Sequence, residues 1–404
     1  MNHLGPASIA DLNFQIEWTS IVASHSDIYF GSNANLWRDL LSRRPYPELA
    51  GKQPGDRIRL ELSPGELFQD GERQDIRRLK PEQFDPKRIT DTPVQPRVGR
   101  FYPKGLLKDV AGVFSANMAP FRCLNVNNSL LTVDLGHPLA EQALTLEISV
   151  GAVQEKYKER GGSANDWPAI ITQGVGMQAP MPDHPTDFQD KGAFRRSDET
   201  ADDIFYQKPR LVNHLDDRAL NRVQQLYGRF IQEDMRVLDL MSSWNSHLPA
   251  DVCLKQVTGI GLNGEELSLN RALTDFHVQD LNKNPKLDLP SEHYEAAVCT
   301  VSVEYLVSPE KVYCEVARIL RPGGYFVVTF SNRWFPPKAI GIWSRLHEFE
   351  RMGLVLDYFQ QCNRFTDLQT YSIRGLPRPE QDKYYRQFLY SDPVYAVWGR
   401  RKDK

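Results

Sequence analysis

The side chains best placed to do chemistry gather where apolar runs break into polar turns. Met235-Arg-Val-Leu-Asp-Leu-Met-Ser-Ser-Trp-Asn-Ser-His247 is the clearest case: a short apolar run carrying the carboxylate of Asp239, then small residues, then an imidazole. In a doubly wound sheet a nucleotide sits beyond the carboxyl ends of the parallel strands, where the backbone comes close and an acid can take hydroxyls. Ser242, Ser243 and Ser246 keep this turn approachable, although a positive φ would cost more here than at glycine. Glu304 and Tyr305 follow a second run, Tyr294-Glu-Ala-Ala-Val-Cys-Thr-Val-Ser302, and with His247 they are the candidate proton acceptors.

The elements that must position these groups repeat in order. After the first run come Val257-Thr-Gly-Ile-Gly-Leu-Asn263, a helix opening at Gly-Glu-Glu-Leu, and Phe276-His-Val-Gln-Asp-Leu-Asn282. Pro309 to Leu320 has helical periodicity through Val312, Val316, Ile319 and Leu320, and Arg321-Pro-Gly-Gly-Tyr-Phe-Val-Val-Thr-Phe330 is a turn into a further strand. A helix over Arg218 to Phe230 feeds the first strand. Ile342 to Met352 reads as an amphipathic helix, Leu354 to Phe359 as part of a following strand, and Asp392 to Arg400 as an antiparallel last strand. Alternation of this kind predicts an α/β doubly wound, Rossmann-like domain over 201–404.

Val-Leu-Asp-Leu, Gly-Ile-Gly-Leu-Asn, Gln-Asp-Leu-Asn and above all Ala-Arg-Ile-Leu-Arg-Pro-Gly-Gly-Tyr resemble class I S-adenosylmethionine-dependent methyltransferases of the type 11 kind. The resemblance implies S-adenosylmethionine as cofactor, with Asp239 on its amino group and the Met241, Ser242 and Ser243 backbone along the methionine part. It further implies Leu262 and Asn263 at the ribose, Asp280 and Leu281 at the adenine, and Val301 beside the sulfonium. Two departures stand out: the glycine-rich loop is Met-Ser-Ser-Trp-Asn-Ser, and Gly261 stands where the family carries an acid for the ribose, leaving Asn263 to serve instead. Ahead of the first strand, where the family folds a segment over the cofactor, Arg210 would meet the methionine carboxylate and Tyr206 would cover the sulfonium.

Methyl transfer to a nucleophile is an in-line displacement that rests on alignment in a dry site, so a base is needed only for an acceptor protonated at working pH. Trp244, Trp334, Phe335 and Trp343 are candidates for an apolar acceptor wall. Aromatic bulk without an obvious metal site or strong base favours a small-molecule acceptor, a thiol or sulfide first. Two alternatives stay open: a scaffold or chaperone whose cofactor fold has decayed, and a protein methyltransferase whose N-terminal part presents the target. His214 reads as a capping or core histidine.

The 404 residues suit two or three domains, and 41% hydrophobic residues provide core for each. A net charge of −3 argues against nucleic acid as an obligatory partner. Cys123, Cys253, Cys299, Cys314 and Cys362 lack paired spacing, so no zinc site or disulfide framework is expected. With no signal-like or membrane-spanning stretch, the expected compartment is the cytoplasm.

The N-terminal part reads as a β-rich α+β module. Phe14 to Val22 and Arg57 to Leu62 alternate as strands, a helix is expected from Asn33 with Asn33 or Asn35 as its cap, and 63 to 100 reads as loops with short elements. Further short strands lie at Gly99 to Pro103, Pro120 to Val126, Leu130 to Leu135 and Leu144 to Val150. Gln53-Pro-Gly-Asp-Arg-Ile-Arg-Leu-Glu-Leu62 and Val133-Asp-Leu-Gly-His-Pro to Val150 resemble SlyD-type FKBP prolyl isomerases that carry an inserted chaperone flap. The aromatic and acidic residues lining the isomerase pocket have no residue-by-residue counterpart, so a recruited structural domain over 1–152 is expected. It would shape the substrate entrance, bind a partner or pair two subunits as a homo-oligomer. The polar, Pro- and Gly-rich residues 153–200 read as a linker or lid.

Overall fold

A computed structural model describes residues 3–39, 45–68, 74–87, 93–155, 161–172, 185–188 and 192–403. The chain divides into two units: Met1–Asp190 with Arg345–Arg351 and Tyr371–Leu376, and Lys191–Ser344 with Met352–Thr370 and Pro377–Lys404.

The first unit is β-rich. Its strands are β1 (Ser8–Thr19), β2 (Ser24–Asn35), β3 (Arg57–Leu62), β4 (Ile76–Leu79), β5 (Phe101–Pro103), β6 (Pro120–Val126), β7 (Leu131–Asp134) and β8 (Leu144–Glu155), with short helices α1 (Pro45–Leu49) and α2 (Trp167–Thr172). One antiparallel set runs β2-β1-β8-β3, and a separate sheet runs β4-β7-β6-β5. Alternation along β1 buries Leu12, Phe14, Ile16 and Trp18, the period expected when one face of a strand packs on a core. The small sheet has its own core of Phe84, Tyr102, Leu106, Phe121 and Val133.

The helix expected from Asn33 does not form. β2 continues to Asn35, and the Asn35 side chain then accepts from the Trp37 amide, so the asparagine builds a turn instead of capping a helix. Part of the linker reading, 156–160, 173–184 and 189–191, lies outside the described residues; 167–172 is helical.

Arg100 and Glu350 form an ion pair within this unit, 3.1 Å apart and both buried, and Glu350 also accepts from the Phe101 amide at 2.7 Å. Burial pushes the Glu350 carboxyl up, against the pull of Arg100. Removing the carboxylate strands a buried cation, so Glu350→Ala is expected to lower stability by about 3–5 kcal/mol, read from the urea midpoint.

The second unit alternates strand and helix. In chain order it holds α3 (Asp202–Phe205), α4 (Asp217–Tyr227), β9 (Arg236–Leu240), β10 (Gln256–Gly261), α5 (Gly264–Leu269), β11 (Asp275–Val278), β12 (Tyr294–Thr300), α6 (Pro309–Ile319), β13 (Leu320–Phe330), all but the last residue of α7 (Gly341–Arg345), α8 (Glu348–Cys362) from Met352 on, β14 (Phe365–Arg374) up to Thr370, and β15 (Val394–Arg401). The strand order is β11-β10-β9-β12-β13-β15-β14. β9 to β13 are parallel, and β15 runs antiparallel to β13. The central strands are apolar on both faces, as a sheet covered by helices requires.

Leu354 to Phe359, expected as a strand, lies inside α8. Six consecutive residues there are apolar or half-buried because the helix packs on two sides, a pattern periodicity cannot separate from a buried strand. The single helix expected over Ile342 to Met352 is two helices, α7 and the start of α8.

Candidate functional site

The carboxyl ends of β9, β10 and β12 open into a cavity, closed by the segment from Asp202 to Leu215. Switch points of this kind are where open α/β sheets bind ligands.

Asp239 sits centrally on β9, paired in register with Gly259 and Val298, and only 2% exposed. Ser242 Oγ donates to it at 2.5 Å. Burial raises its pKa to about 7, with hydrogen bonds from Ser242 and Ser246 holding it from rising further. The turn that follows closes without glycine because Met241 itself adopts a positive φ of 57°. Gly261, on the neighbouring strand, supplies the missing room: a Cβ there would lie 2.3 Å from the Ser242 carbonyl oxygen. Val301, also at the cavity, has a φ of 49°, a strained conformation for a β-branched residue and one that clusters at functional sites.

The acid absent from the end of β10 appears one helical turn later. Glu266 lines the cavity, accepts from Ser243 Oγ at 2.6 Å and from the Arg210 amide at 2.7 Å. Asn263 lines the wall too, but its side chain is spent: Oδ1 caps α5 through the Glu265 and Glu266 amides, and Nδ2 donates to the carbonyls of Tyr206 and Gln207. Asn270 fixes the β9 loop by donating to the Ser243 carbonyl (2.8 Å) and Ser246 Oγ (2.9 Å). Sequence reasoning passed over Glu266 and Asn270. The signal for Glu266 was there, three residues after a capping Asn.

Arg210 lies over the rings of Phe205, Phe335 and Tyr206, at 4.7, 4.8 and 5.3 Å from their centroids. Its Nη1 is buried with no hydrogen-bond acceptor among the described residues. An orphaned donor on a cation facing a cavity is costly unless a ligand anion meets it. The covering segment is pinned nearby: Asp202 takes both Arg196 (2.7 Å) and Lys338 (3.2 Å), and accepts from Asn282 (3.0 Å).

Of the fourteen residues singled out from the sequence, thirteen line this cavity: Tyr206, Arg210, Asp239, Met241, Ser242, Ser243, His247, Leu262, Asn263, Asp280, Leu281, Val301 and Tyr305. Asp280 also caps its own turn, accepting from the Asn282 amide at 2.9 Å. Glu304 is not among the wall residues: it is 1% exposed within a 3-10 turn next to them. Burial holds the Tyr305 phenol far above its usual value, and its oxygen accepts from the Phe335 amide. Burial and the neighbouring His214 lower His247 to about 4, and burial then Arg210 lower His214, so both imidazoles are neutral at pH 7. Among the aromatic candidates, Trp244 and Phe335 line the cavity, whereas Trp343 is core, packed on Phe330.

Residues 242–328 match the model of a methyltransferase domain family. The second unit carries a methyltransferase domain. S-adenosylmethionine is the cofactor of such a domain, and the carboxylate of Asp239 and the orphaned guanidinium of Arg210 suit its amino and carboxylate ends. No curated protein matches the chain. Among solved structures, it is similar to SAM-dependent methyltransferases from Archaeoglobus fulgidus (13% identity, 46% of this chain and 94% of that one, TM-score 0.34) and Aquifex aeolicus (14%, 46% and 91%, 0.31). A third, from Mesorhizobium loti, is 17% identical over 44% of this chain and 96% of that one, with a TM-score of 0.31. No helix among the described residues is long and apolar enough to cross a membrane, and no cluster of three or more described His, Cys, Asp and Glu residues could hold a metal ion.

Proposed function

We propose that the second unit methylates a small-molecule acceptor, holding S-adenosylmethionine with its methionine end between Asp239 and Arg210. The observation carrying this reading is the pairing of a buried, unsatisfied guanidinium donor with a buried carboxylate in one cavity. Met241 to Ser243 would lie along the methionine chain, Glu266 and Leu262 at the ribose, and Asp280 with Leu281 at the adenine. Glu266 takes the place proposed for Asn263 because its two oxygens retain lone pairs after their present bonds. The bound cofactor supplies an electrophilic methyl group; the protein's share is to orient it, exclude water and receive the acceptor in line.

The sequence favoured a thiol because it offered no obvious strong base. His214, read from the sequence as a capping or core histidine, joins His247 in the cavity wall as a second neutral imidazole, and that admits an acceptor hydroxyl. For the first unit we retain an FKBP-like module over residues 1–152 as a proposal; the quoted motifs fall on β3, β7 and β8.

Calorimetric titration of S-adenosylmethionine and S-adenosylhomocysteine tests the reading, with Asp239→Ala and Asp280→Ala as controls. Micromolar binding lost in both variants supports it, and absence of binding by the intact protein sinks it. Arg210→Met is expected to weaken S-adenosylhomocysteine by about 30-fold, the loss of one charge-assisted pair of roughly 2 kcal/mol. Methylthioadenosine, which lacks the carboxylate, should bind both proteins alike.

A further inference from the structure

A second cavity adjoins the first. The two share the segment from Val212 to Leu215 together with Val301, Tyr305 and Phe335, so their common wall is that segment and the carboxyl end of β12. The far wall comes from two segments that the cofactor reading leaves unused: Arg333 and Trp334 after β13, and Asp382, Lys383 and Tyr384 in the excursion before β15.

The charges in this far wall are not equivalent. Its three carboxylates, Asp216, Asp382 and Asp392, turn toward one buried guanidinium, Arg378, at 3.5, 3.0 and 2.6 Å. They are closed off, with side-chain exposures of 0%, 15% and 4%. Asp216 is further occupied by the amides of Arg218 and Ala219 and the hydroxyl of Ser391. The cations keep open surface. Arg333 is 29% exposed, with one 3.2 Å contact to Asp392, and Lys383 is exposed and carries no ion pair among the described residues. Both cations flank one ring, their charges 4.6 and 4.9 Å from the centroid of Tyr384. Trp334 and Phe335 add flat apolar surface.

We propose that this second cavity is the acceptor site and that it takes a planar aromatic acid bearing a hydroxyl, its anionic group on Arg333 and Lys383 and its hydroxyl toward the shared wall at His214. The proposal rests on the methyltransferase reading of the first cavity. A ring bound between Tyr384 and Phe335 would gain aromatic contact at one end and charge-assisted hydrogen bonds at the other. His214, edge-on to Phe335 at 5.1 Å between centroids, stands where the two cavities meet. In the reaction the hydroxyl oxygen forms the new O–C bond as the S–C bond breaks. The sulfur keeps that electron pair, and the hydroxyl proton passes to the free nitrogen lone pair of His214 and on to solvent.

The test uses the full-length protein saturated with S-adenosylhomocysteine, titrated calorimetrically with para-hydroxybenzoate, para-coumarate and the uncharged para-hydroxybenzamide. At least one of the two acids should bind tenfold or more tighter than the amide. Lys383→Ala, at an exposed position, and Arg333→Ala should each weaken that acid about tenfold while leaving S-adenosylhomocysteine affinity unchanged. With S-adenosylmethionine, His214→Gln should lower the maximal rate of methyl ether formation without changing the affinity for the acid. Equal binding of acid and amide, or failure of both acids to bind the loaded protein, overturns the proposal, as do unchanged acid affinities in both cation variants. Failure of S-adenosylhomocysteine itself to bind would instead remove the methyltransferase reading beneath it.

Discussion

Asp239→Asn should abolish cofactor binding and, at the same time, make the empty protein more stable at pH 8. The two effects have one cause. Asp239 is buried, and its folded pKa of about 7 lies above the ordinary carboxylate value of 3.8. Between those values the folded protein keeps a proton that the unfolded chain has released. Stability therefore falls as pH rises through this window, and the loss is complete above pH 7. Three units at 1.36 kcal/mol each set the penalty at up to about 4 kcal/mol. Asparagine keeps the acceptor that Ser242 needs and carries no charge, so the penalty goes. The measurement is a pair of melting curves at pH 5 and pH 8: the gap between wild type and variant should open toward the higher pH. A gap that stays constant would mean the carboxylate is already ionised at pH 5. Binding runs the other way. A cationic amino group ionises Asp239 on arrival, so affinity for S-adenosylmethionine should drop roughly fivefold between pH 7 and pH 6, with a proton released on binding at pH 6.

Gly261→Ala is expected to be the most damaging change of a single methyl group. The added Cβ would sit 2.3 Å from a backbone oxygen of the β9 loop and 3.1 Å from the Leu267 side chain. A backbone atom cannot rotate away, so the loop carrying Met241 to Ser243 has to shift. The expected cost is about 1–3 kcal/mol of stability together with loss of measurable cofactor binding. Gly228→Ala is the matched control, since its Cβ finds nothing closer than 3.5 Å and its φ of −60° suits any residue. If Gly261→Ala binds cofactor like wild type, the close approach of the two strands does not shape the site.

Much of the second unit was legible because its central strands are mostly apolar and its turns fall on polar residues. β9 to β13 lie within a few residues of their expected positions, and β15 is antiparallel as expected. Leu354 to Phe359 misled because a helix buried on both sides has no polar face to give away its period. Asn33 misled because asparagine suits a turn as well as a cap. At the site, one-dimensional spacing placed the residues at strand ends but not their commitments. Asn263 looked free for a ribose, yet four backbone groups claim its amide. Gly261 looked like a missing acid and is a spatial necessity, because its partner is a carbonyl nineteen residues earlier. Arg333 and Lys383, some fifty residues apart, meet only through the ring of Tyr384.

The fastening of the segment over the first cavity bears on the tempo of turnover. Asn263 holds Tyr206 and Gln207, Glu266 holds the Arg210 amide, and Asp202 is locked between Arg196 and Lys338. Each anchor is short, and the last is buried beyond the reach of salt. On the reading proposed above, a spent cofactor beneath such a strap would leave only as the latch at α5 lets go, two neutral hydrogen bonds and one charged one. The capping helix α5 would then pace the interval between one methyl transfer and the next.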